Sequence, residues 1–263
     1  MNMIEIKKLS KKFGSFTVLS EMDLSVKQGE TLVILGPSGI GKSVLLKHII
    51  GLIKPDSGSI DIGGEIRISE LTGPDLYKAV SNMGMLFQGA ALFDSMNVEE
   101  NVGFYLNEHR RSAGGINFTD EEIEERVDHA LTIVGLKGIQ KKMPSELSGG
   151  MRKRVGLARV IAYRPKIVLY DEPTTGLDPV TAQQINDLIV TTKEELNATS
   201  IVVTHDMFSA LSVGDRLALI REGKIAHIGE PSDFIEIHDP LIEQLYASIS
   251  QDPRKLKKGN FHG

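Results

Sequence analysis

The folds open to this chain are limited most by one short loop, Gly36-Pro37-Ser38-Gly39-Ile40-Gly41-Lys42-Ser43. The loop follows a continuous apolar run, Thr31–Leu35, which predicts a buried strand, and it precedes apolar residues at helical spacing over residues 44–50. Glycines let such a loop turn tightly enough to aim successive N–H groups at phosphate oxygens, and the helix N-terminus adds its positive dipole end. A strand, a phosphate loop and a helix in this order predict an α/β fold that binds a nucleotide.

The last two residues of the loop carry the side chains that such a site needs. We expect the Lys42 ammonium to reach the β- and γ-phosphates and the Ser43 hydroxyl to ligate Mg²⁺. The alternative is an ordinary glycine-rich turn with a chance Lys-Ser pair. It is the weaker interpretation because both flanking elements match the pattern.

A pair of carboxylates follows a second buried strand, Ile167–Tyr170, at the kind of strand end where ligands of open α/β sheets gather. We expect Asp171 to hold the magnesium, directly or through water, and Glu172 to polarise the attacking water as a general base. Alone, an Asp-Glu pair at a strand end is usually solvated. Because the same chain carries a phosphate loop, the pair instead predicts hydrolysis of the nucleotide.

A second glycine-rich helix start is Leu147-Ser148-Gly149-Gly150-Met151, which three basic residues follow. Such a helix start is a ready anion site. A nucleotide already held by residues 36–43 has little use for a second phosphate-binding helix in the same subunit. Ser148, Gly149 and Gly150 therefore favour contact with a nucleotide held by another copy, with an ordinary glycine-containing helix entry as the alternative.

The composition excludes several classes of function. Lys and Arg number 30 against 35 Asp and Glu, a formal net charge of −5, so we expect no general nucleic-acid binding, which needs an excess of cations. The chain has no cysteine, which excludes disulfides, thiolate metal sites and a thiol nucleophile. No apolar run approaches the ~18 residues that a membrane span needs. Work at a membrane would therefore depend on partner proteins.

Periodicity along the rest of the chain predicts alternating strands and helices. The opening third is rich in strand patterns such as Leu19–Val26, whereas about residues 97–163 carry almost no strand signal and predict a helical insertion. Within the insertion, Thr119 followed three residues later by Glu122 is a capping box. The short apolar run Ile201–Thr204 predicts another buried parallel strand.

Taken together, these motifs resemble those of the nucleotide-binding subunits of ATP-binding cassette (ABC) transporters. Residues 36–43 match the Walker A loop, Ile167–Asp171 matches the Walker B strand and Leu147–Met151 matches the signature loop. The resemblance implies ATP and Mg²⁺ as cofactors. It also implies an α/β fold with a P-loop NTPase (RecA-like) core, an N-terminal antiparallel β subdomain and an inserted α-helical subdomain.

The resemblance extends over nearly the whole chain and implies its division. One ABC ATPase domain would occupy residues 1–250, with the helical subdomain at about residues 92–163, and a basic C-terminal tail would occupy residues 251–263.

The family pattern also implies roles for residues that stand outside these three motifs. Gln88 matches the Q-loop glutamine, which contacts magnesium and the attacking water, and His205 matches the switch histidine, which contacts the γ-phosphate. Gly176-Leu177-Asp178 matches a further family motif, the D-loop. Phe13 falls where the family usually has a tyrosine stacked on adenine, and Phe16 is its rival for that role.

Members of the family work as head-to-tail pairs, with two ATP molecules between Walker A of one subunit and the signature loop of the other. The resemblance therefore implies a second copy of this chain and transmembrane permease subunits as partners, at the cytoplasmic face of the inner (cell) membrane. Residues that could form the groove for the permease are Leu92, Phe93, Met96, Val98, Phe104 and Tyr105. The alternative is that they pack the helical subdomain, and we expect roughly one in three to be available to a partner.

Within the family, residues 85–98 and the phosphate loop are similar to the ATPase of MCE-type (Mla-like) systems, which move phospholipids between membranes. The similarity implies an MCE-domain lipid-binding protein as a further partner. The basic tail that follows a predicted helix, Pro240–Ser248, has two interpretations. It is a solvated end, or it contacts the second copy or anionic headgroups.

Two other classes of ABC protein remain open from the sequence. The closer rival is the ATPase of an importer for amino acids or another small solute, and the other is a soluble ABC ATPase such as a cluster-assembly factor. A nucleotide-binding regulator that does not hydrolyse ATP is disfavoured by Glu172 and His205.

Overall fold

The computed structural model describes residues 1–111 and 118–247, which form two compact units. The first unit contains residues 1–80 and the described residues from Thr199 onward, and the second contains Ser81–Ala198. Each unit combines strands with helices, so the predicted α/β class is confirmed.

Among the described residues eight strands lie in the first unit and one parallel pair lies in the second. They are β1 (Asn2–Phe13), β2 (Phe16–Lys27), β3 (Thr31–Leu35), β4 (Ser57–Ile62), β5 (Ile66–Arg67), β6 (Met83–Leu86), β7 (Ile167–Asp171), β8 (Thr199–Thr204), β9 (Arg216–Arg221) and β10 (Lys224–Gly229).

The helices have the following bounds. They are α1 (Lys42–Ile49), α2 (Gly73–Val80), α3 (Val98–Arg111), α4 (Asp120–Ile133), α5 (Gly149–Ala162), α6 (Pro179–Leu196), α7 (Met207–Val213), α8 (Pro231–Glu236) and α9 (Pro240–Ala247). Within the described ranges, none of them is long and apolar enough to cross a membrane. The last helix agrees with the predicted helix Pro240–Ser248 as far as Ala247. Ser248 and the basic tail at 251–263 lie outside the described residues.

An antiparallel sheet with the order β2-β1-β4-β5 opens the first unit. It confirms the N-terminal antiparallel β subdomain. β2 begins at Phe16 rather than at the predicted Leu19 because the β1–β2 ladder continues to the hairpin tip, where Phe13 pairs with Phe16. The pattern of apolar residues does not predict β5, because a strand of two residues carries no periodicity.

The phosphate loop lies in the second strand group of the first unit, where β10, β9, β3 and β8 are neighbours in that order. β3 is parallel to both of its neighbours, and Leu35 at its end pairs with Thr204 of β8 and Leu219 of β9. Every residue of β3 and β8 is buried. The continuous apolar runs therefore form parallel strands covered on both faces, as predicted.

The second unit places helices around the parallel pair β6–β7. The predicted capping box begins α4, since Thr119 Oγ1 accepts the Glu122 N–H at 3.2 Å and Glu122 Oε2 accepts the Thr119 N–H at 2.8 Å. Ile123 and Val127 on the apolar face of α4 are buried. The helical insertion is confirmed, whereas its limits at about 92–163 and the single domain over 1–250 stay predictions.

Candidate functional site

The predicted site residues are divided between the two units. The first unit contains Phe13, the phosphate loop at residues 36–43 and His205. The second contains Gln88, Ser148, Gly149, Gly150, Asp171, Glu172 and Asp178.

The phosphate loop connects β3 to α1, and the residue before α1 is a glycine because the backbone there has a positive φ. Gly41 is the N-cap of α1 with φ of 108°, and a Cβ there would lie 2.5 Å from Val18 Cγ1. The first turn of α1 carries no acidic side chain. The positive end of the helix dipole is therefore available to an anion, and the loop fits the phosphates of ATP.

Lys42 is held inside this loop by backbone oxygens. The side chain is 4% exposed, and Nζ donates to Gly36 O at 2.6 Å and to Pro37 O at 3.0 Å. Carbonyl oxygens carry only partial charge, so the ammonium can exchange them for phosphate oxygens, which bind a cation more strongly. This arrangement fits the predicted phosphate contact.

His205 lies at the same edge of the first unit as the phosphate loop. Leu35 and Thr204 are register partners on adjacent parallel strands. Gly36 directly follows Leu35, and His205 directly follows Thr204. The position of His205 is defined on its other side by Asp206, whose carboxylate accepts the Phe208 N–H and caps α7. The structure therefore brings these two predicted elements together.

Both candidate adenine-stacking rings lie at the tip of the β1–β2 hairpin. Phe13 is 50% exposed and Phe16 is 64% exposed, and the two residues are cross-strand partners. Lys11 Nζ lies 5.7 Å from the centroid of the Phe13 ring, within cation–π range. Neither ring packs in a core, so the choice between them stays a prediction.

The predicted Walker B carboxylates lie at the end of β7, largely excluded from solvent. Asp171 is 6% exposed and Glu172 is 7% exposed. Glu172 has φ of 48°, a left-handed backbone that side chains other than glycine rarely adopt. Thr175 Oγ1 donates to Glu172 Oε2 at 2.9 Å, so a neighbouring hydroxyl orients the carboxylate that we expect to act as the base.

Gln88 lies at the same end of the β6–β7 pair as these carboxylates. Leu86 pairs with Tyr170, and Gln88 and Glu172 each follow two residues later. Gln88 is exposed. The structure thus brings Gln88 and the carboxylates to one strand edge of the second unit.

The segment after Gln88 is attached to α5. Ala90 and Ala91 have φ of 63° and 48°, and the Arg159 guanidinium donates to their carbonyl oxygens at 2.8 Å and 2.9 Å. Burial lowers the pKa of Arg159 from its ordinary value.

The predicted signature residues form an open helix start. Ser148 caps α5, its Oγ accepting the Met151 N–H at 3.2 Å, and the first turn contains no acidic residue. Ser148 and Gly149 are exposed. Gly150 is buried against α6, where a Cβ would lie 2.6 Å from Thr181 Cγ2. Ser148 and Gly149 are therefore accessible to another molecule, whereas Gly150 packs against α6.

Asp178 has a structural role in this chain. Its Oδ1 accepts the N–H groups of Val180 at 3.1 Å and Thr181 at 3.0 Å, and its Oδ2 accepts the Thr181 hydroxyl at 2.6 Å. The hydrogen bonds from Thr181 hold the pKa of Asp178 below its ordinary value. The carboxylate caps α6, and its predicted contact with nucleotide stays a prediction.

The apolar residues predicted to form a permease groove differ in exposure. Phe93 is 41% exposed and contacts the Phe104 ring, with centroids 4.6 Å apart. Val98 is fully buried and belongs to the interior of the second unit. Val98 therefore fits the alternative that such residues pack the helical subdomain, because its place at the start of α3 turns it inward.

Two functional-site neighbours were not predicted, Lys153 and Asn101. Lys153 is 6% exposed, and its Nζ donates to the carbonyl oxygens of Glu172, Pro173 and Thr175. The run Arg152-Lys153-Arg154 suggests a solvated basic surface, which concealed this role. One signal was present, because Lys153 shares helical spacing with the buried residues Gly150 and Leu157.

Asn101 holds the segment that contains Phe93. Its side chain is fully buried, Oδ1 accepts the Phe93 N–H at 2.8 Å, and Nδ2 donates to the carbonyl oxygens of Phe93, Met96 and Asn97. An asparagine within a helical pattern gives no sequence signal for such a role.

Comparison with known proteins agrees with this arrangement. The chain is 41% identical over 241 residues to the probable ribonucleotide transport ATP-binding protein mkl of Mycobacterium leprae, a match over 92% of this chain and 67% of that protein. It is 39% identical over 256 residues to the intermembrane phospholipid transport system ATP-binding protein MlaF of Haemophilus influenzae, over 97% of this chain and 94% of that protein.

A solved structure gives the same result for the fold. The dimeric, post-hydrolysis ATP-binding cassette MJ0796 bound to ADP and Pi matches with a TM-score of 0.78 and 33% identity, over 87% of this chain and 99% of that chain. The sequence pattern of the ABC transporter family matches this chain over residues 19–175. The chain belongs to the ABC transporter family and is one of its ATP-hydrolysing subunits, with ATP and Mg²⁺ as cofactors.

Proposed function

We propose that this chain drives phospholipid transport between membranes, as a head-to-tail homodimer docked on separate permease chains. The observation that carries this cargo is the similarity to MlaF of Haemophilus influenzae, which extends over nearly the whole of both proteins. An MCE-domain lipid-binding protein is the further partner. The proposed location is the cytoplasmic face of the inner membrane.

The phosphates are held by the loop at residues 36–43 in this proposal. Its N–H groups and the Lys42 ammonium bind the phosphate oxygens, and Ser43 and Asp171 each contribute an oxygen ligand to Mg²⁺. Hydroxyl and carboxylate oxygens are ligands that Mg²⁺ prefers. Mg²⁺, when bound, neutralises negative charge on the β- and γ-phosphate oxygens.

The proton of the attacking water passes to Glu172. Thr175 orients this carboxylate toward the water by a hydrogen bond to Oε2. Gln88, at the same strand edge, positions the water and contacts the metal. His205 contacts the γ-phosphate beside the phosphate loop.

The second copy completes each site with its helix start at Ser148, Gly149 and Gly150. The exposed residues Ser148 and Gly149 and the positive dipole end of α5 suit an anion that the other subunit holds. Asp178 starts the neighbouring helix α6 and contributes to the same contact.

The permease docks beside Phe93 in this proposal. The aromatic ring is exposed, yet Asn101 and Arg159 fix the backbone on either side of it. An exposed aromatic side chain on a fixed backbone suits a protein interface, because little side-chain entropy is lost on binding.

The cargo is tested by purifying the complex. The full chain, tagged at its N-terminus, is recovered from gently solubilised native membranes, and its companions are identified by mass spectrometry. We expect a permease together with an MCE-domain protein. A tagged Phe93→Asp variant is the matched control, and we expect it to recover less permease while ATP binding is unchanged.

The alternative cargo is a small solute, which the similarity to the mycobacterial mkl protein favours because that protein is named for ribonucleotide transport. Recovery of a permease with a solute-binding protein and no MCE-domain protein would establish this alternative. Recovery of no membrane protein would overturn both transport proposals.

A further inference from the structure

Lys153 lies beside the catalytic loop, yet the proposed reaction assigns it no role. We propose that Lys153 is a positioning residue that holds the loop carrying Glu172 in its active orientation and links that loop to the signature helix α5. This inference rests on the proposed role of Glu172 as the base.

Lys153 makes three hydrogen bonds to one loop. The ammonium donates to Glu172 O at 3.2 Å, Pro173 O at 2.7 Å and Thr175 O at 2.8 Å. A lysine ammonium has three N–H donors, so all three are directed to one short loop. Burying a charged group is unfavourable unless it is hydrogen-bonded, and here the loop carbonyls provide that compensation.

The loop that carries Glu172 needs support from its neighbours. Glu172 occupies a left-handed backbone conformation, which costs free energy and persists only where surrounding contacts impose it. Lys153 binds the carbonyl group of Glu172 itself and that of Thr175. Thr175 in turn donates its hydroxyl to the Glu172 carboxylate. The ammonium therefore sets both the backbone and, through Thr175, the carboxylate orientation.

Lys153 lies close to the start of α5. It follows the capping residue Ser148 by five positions, which corresponds to about 7.5 Å along a helix axis. A helix segment this short moves as a unit. A displacement of the helix start on contact with the nucleotide of the second copy would therefore be transmitted to the Glu172 loop.

The proposal has a pH signature. Burial lowers the pKa of Lys153 to about 8, and the nearby Glu172 carboxylate opposes this by raising it. The other charged side chains on α5 are Arg152, Arg154 and Arg159, and Asp171 and Asp178 flank the loop that carries Glu172. As the pH rises through about 8, the folded protein loses the ammonium charge and one donor, so the loop is held less firmly and turnover falls.

The effect of this titration on stability has the opposite sign. The pKa of Lys153 is lower in the folded chain than its ordinary value of 10.5, so the unfolded state binds more protons between about pH 8 and 10.5. The contribution of Lys153 to the free energy of unfolding therefore rises over that window. Falling turnover without falling stability distinguishes a positioning role from a purely structural one.

The experiment compares three variants of the full chain, Lys153→Met, Lys153→Arg and the exposed control Lys137→Met. We expect Lys153→Met to lower kcat by about tenfold or more with ATP affinity within about twofold of wild type, since the phosphate loop is untouched. Lys153→Arg keeps donors and charge, so it should restore most of the turnover and lack the decline above pH 8. Lys137→Met should behave as wild type.

Wild-type turnover measured from pH 7 to 10 is the second test and needs no variant. A kcat that stays level through pH 8 to 9, or a Lys153→Met variant with wild-type kcat, would overturn the proposal. These readouts concern ATP turnover alone, so a different cargo would leave them unchanged. Normal hydrolysis by Glu172→Gln would separately overturn the proposed base.

Discussion

Two buried lysines of this chain, one in each unit, bind backbone carbonyl groups of loops that carry proposed site residues. Lys42 donates to two carbonyls of its own loop, and Lys153 donates to three carbonyls of the Glu172 loop. The carbonyls that bind Lys42 belong to the loop in which we expect the phosphates to lie, so an incoming phosphate can replace them. The three bonds of Lys153 use its donors fully, which suits a permanent support.

Replacement of Lys42 by alanine removes the phosphate clamp. We expect Lys42→Ala to lower ATP turnover by about a hundredfold or more, because a cation that neutralises transferring phosphate charge is lost. Phosphate release by the purified full chain measures it, with Lys47→Ala at the end of the same helix as the control. Near-normal turnover by Lys42→Ala would contradict the Walker A assignment.

At the scale of elements, α5 is the organising helix of the second unit. Its start carries the open signature residues, its middle binds the Glu172 loop through Lys153, and Arg159 binds the segment after Gln88. Three parts of the proposed machinery are thus attached to one rigid helix. This arrangement explains how contact at the helix start can affect both the base and the permease side.

Asn101 performs the corresponding task for the segment before α3. We expect Asn101→Ala to lower the free energy of unfolding by about 2–3 kcal/mol, because it leaves buried backbone groups without partners. Urea unfolding of the full chain measures this. Asn107→Ala is the control on the same helix, where the side chain makes one bond to Gly103 O and we expect a loss below about 1 kcal/mol. Equal losses in both variants would contradict the special role of Asn101.

At the scale of the whole molecule, neither unit contains a full set of site residues. The phosphate loop and His205 belong to the first unit, and Gln88, Glu172 and the signature residues belong to the second. At the signature helix start Ser148 and Gly149 are exposed, and the Ser148 Oγ caps the helix by accepting the Met151 N–H. In the proposed head-to-tail dimer hydrolysis depends on assembly, and assembly gives a direct test.

The Glu172→Gln variant keeps the size and hydrogen bonding of the side chain but removes the base. We expect it to bind ATP, to hydrolyse it at least about a hundredfold more slowly, and to accumulate as a dimer. Light scattering with and without ATP measures the dimer. Adding Ser148→Arg in the same chain should block the helix start and return the monomer. A Glu172→Gln chain that stays monomeric with ATP would contradict the head-to-tail arrangement.

The sequence by itself determined the features that depend on neighbouring residues. The phosphate loop, the buried strands β3, β7 and β8, and the capping box at Thr119 each occupy a contiguous stretch, and local geometry and burial pattern suffice to predict them.

Only the tertiary structure decided the contacts between distant segments. Lys153 lies 19 to 22 positions from the carbonyls that it binds, and Arg159 lies 68 and 69 positions from its own. A basic residue on a helix has the same local pattern whether it points to solvent or to a loop. The difference is the cost of burying its charge, which depends on acceptors that folding brings from elsewhere in the chain.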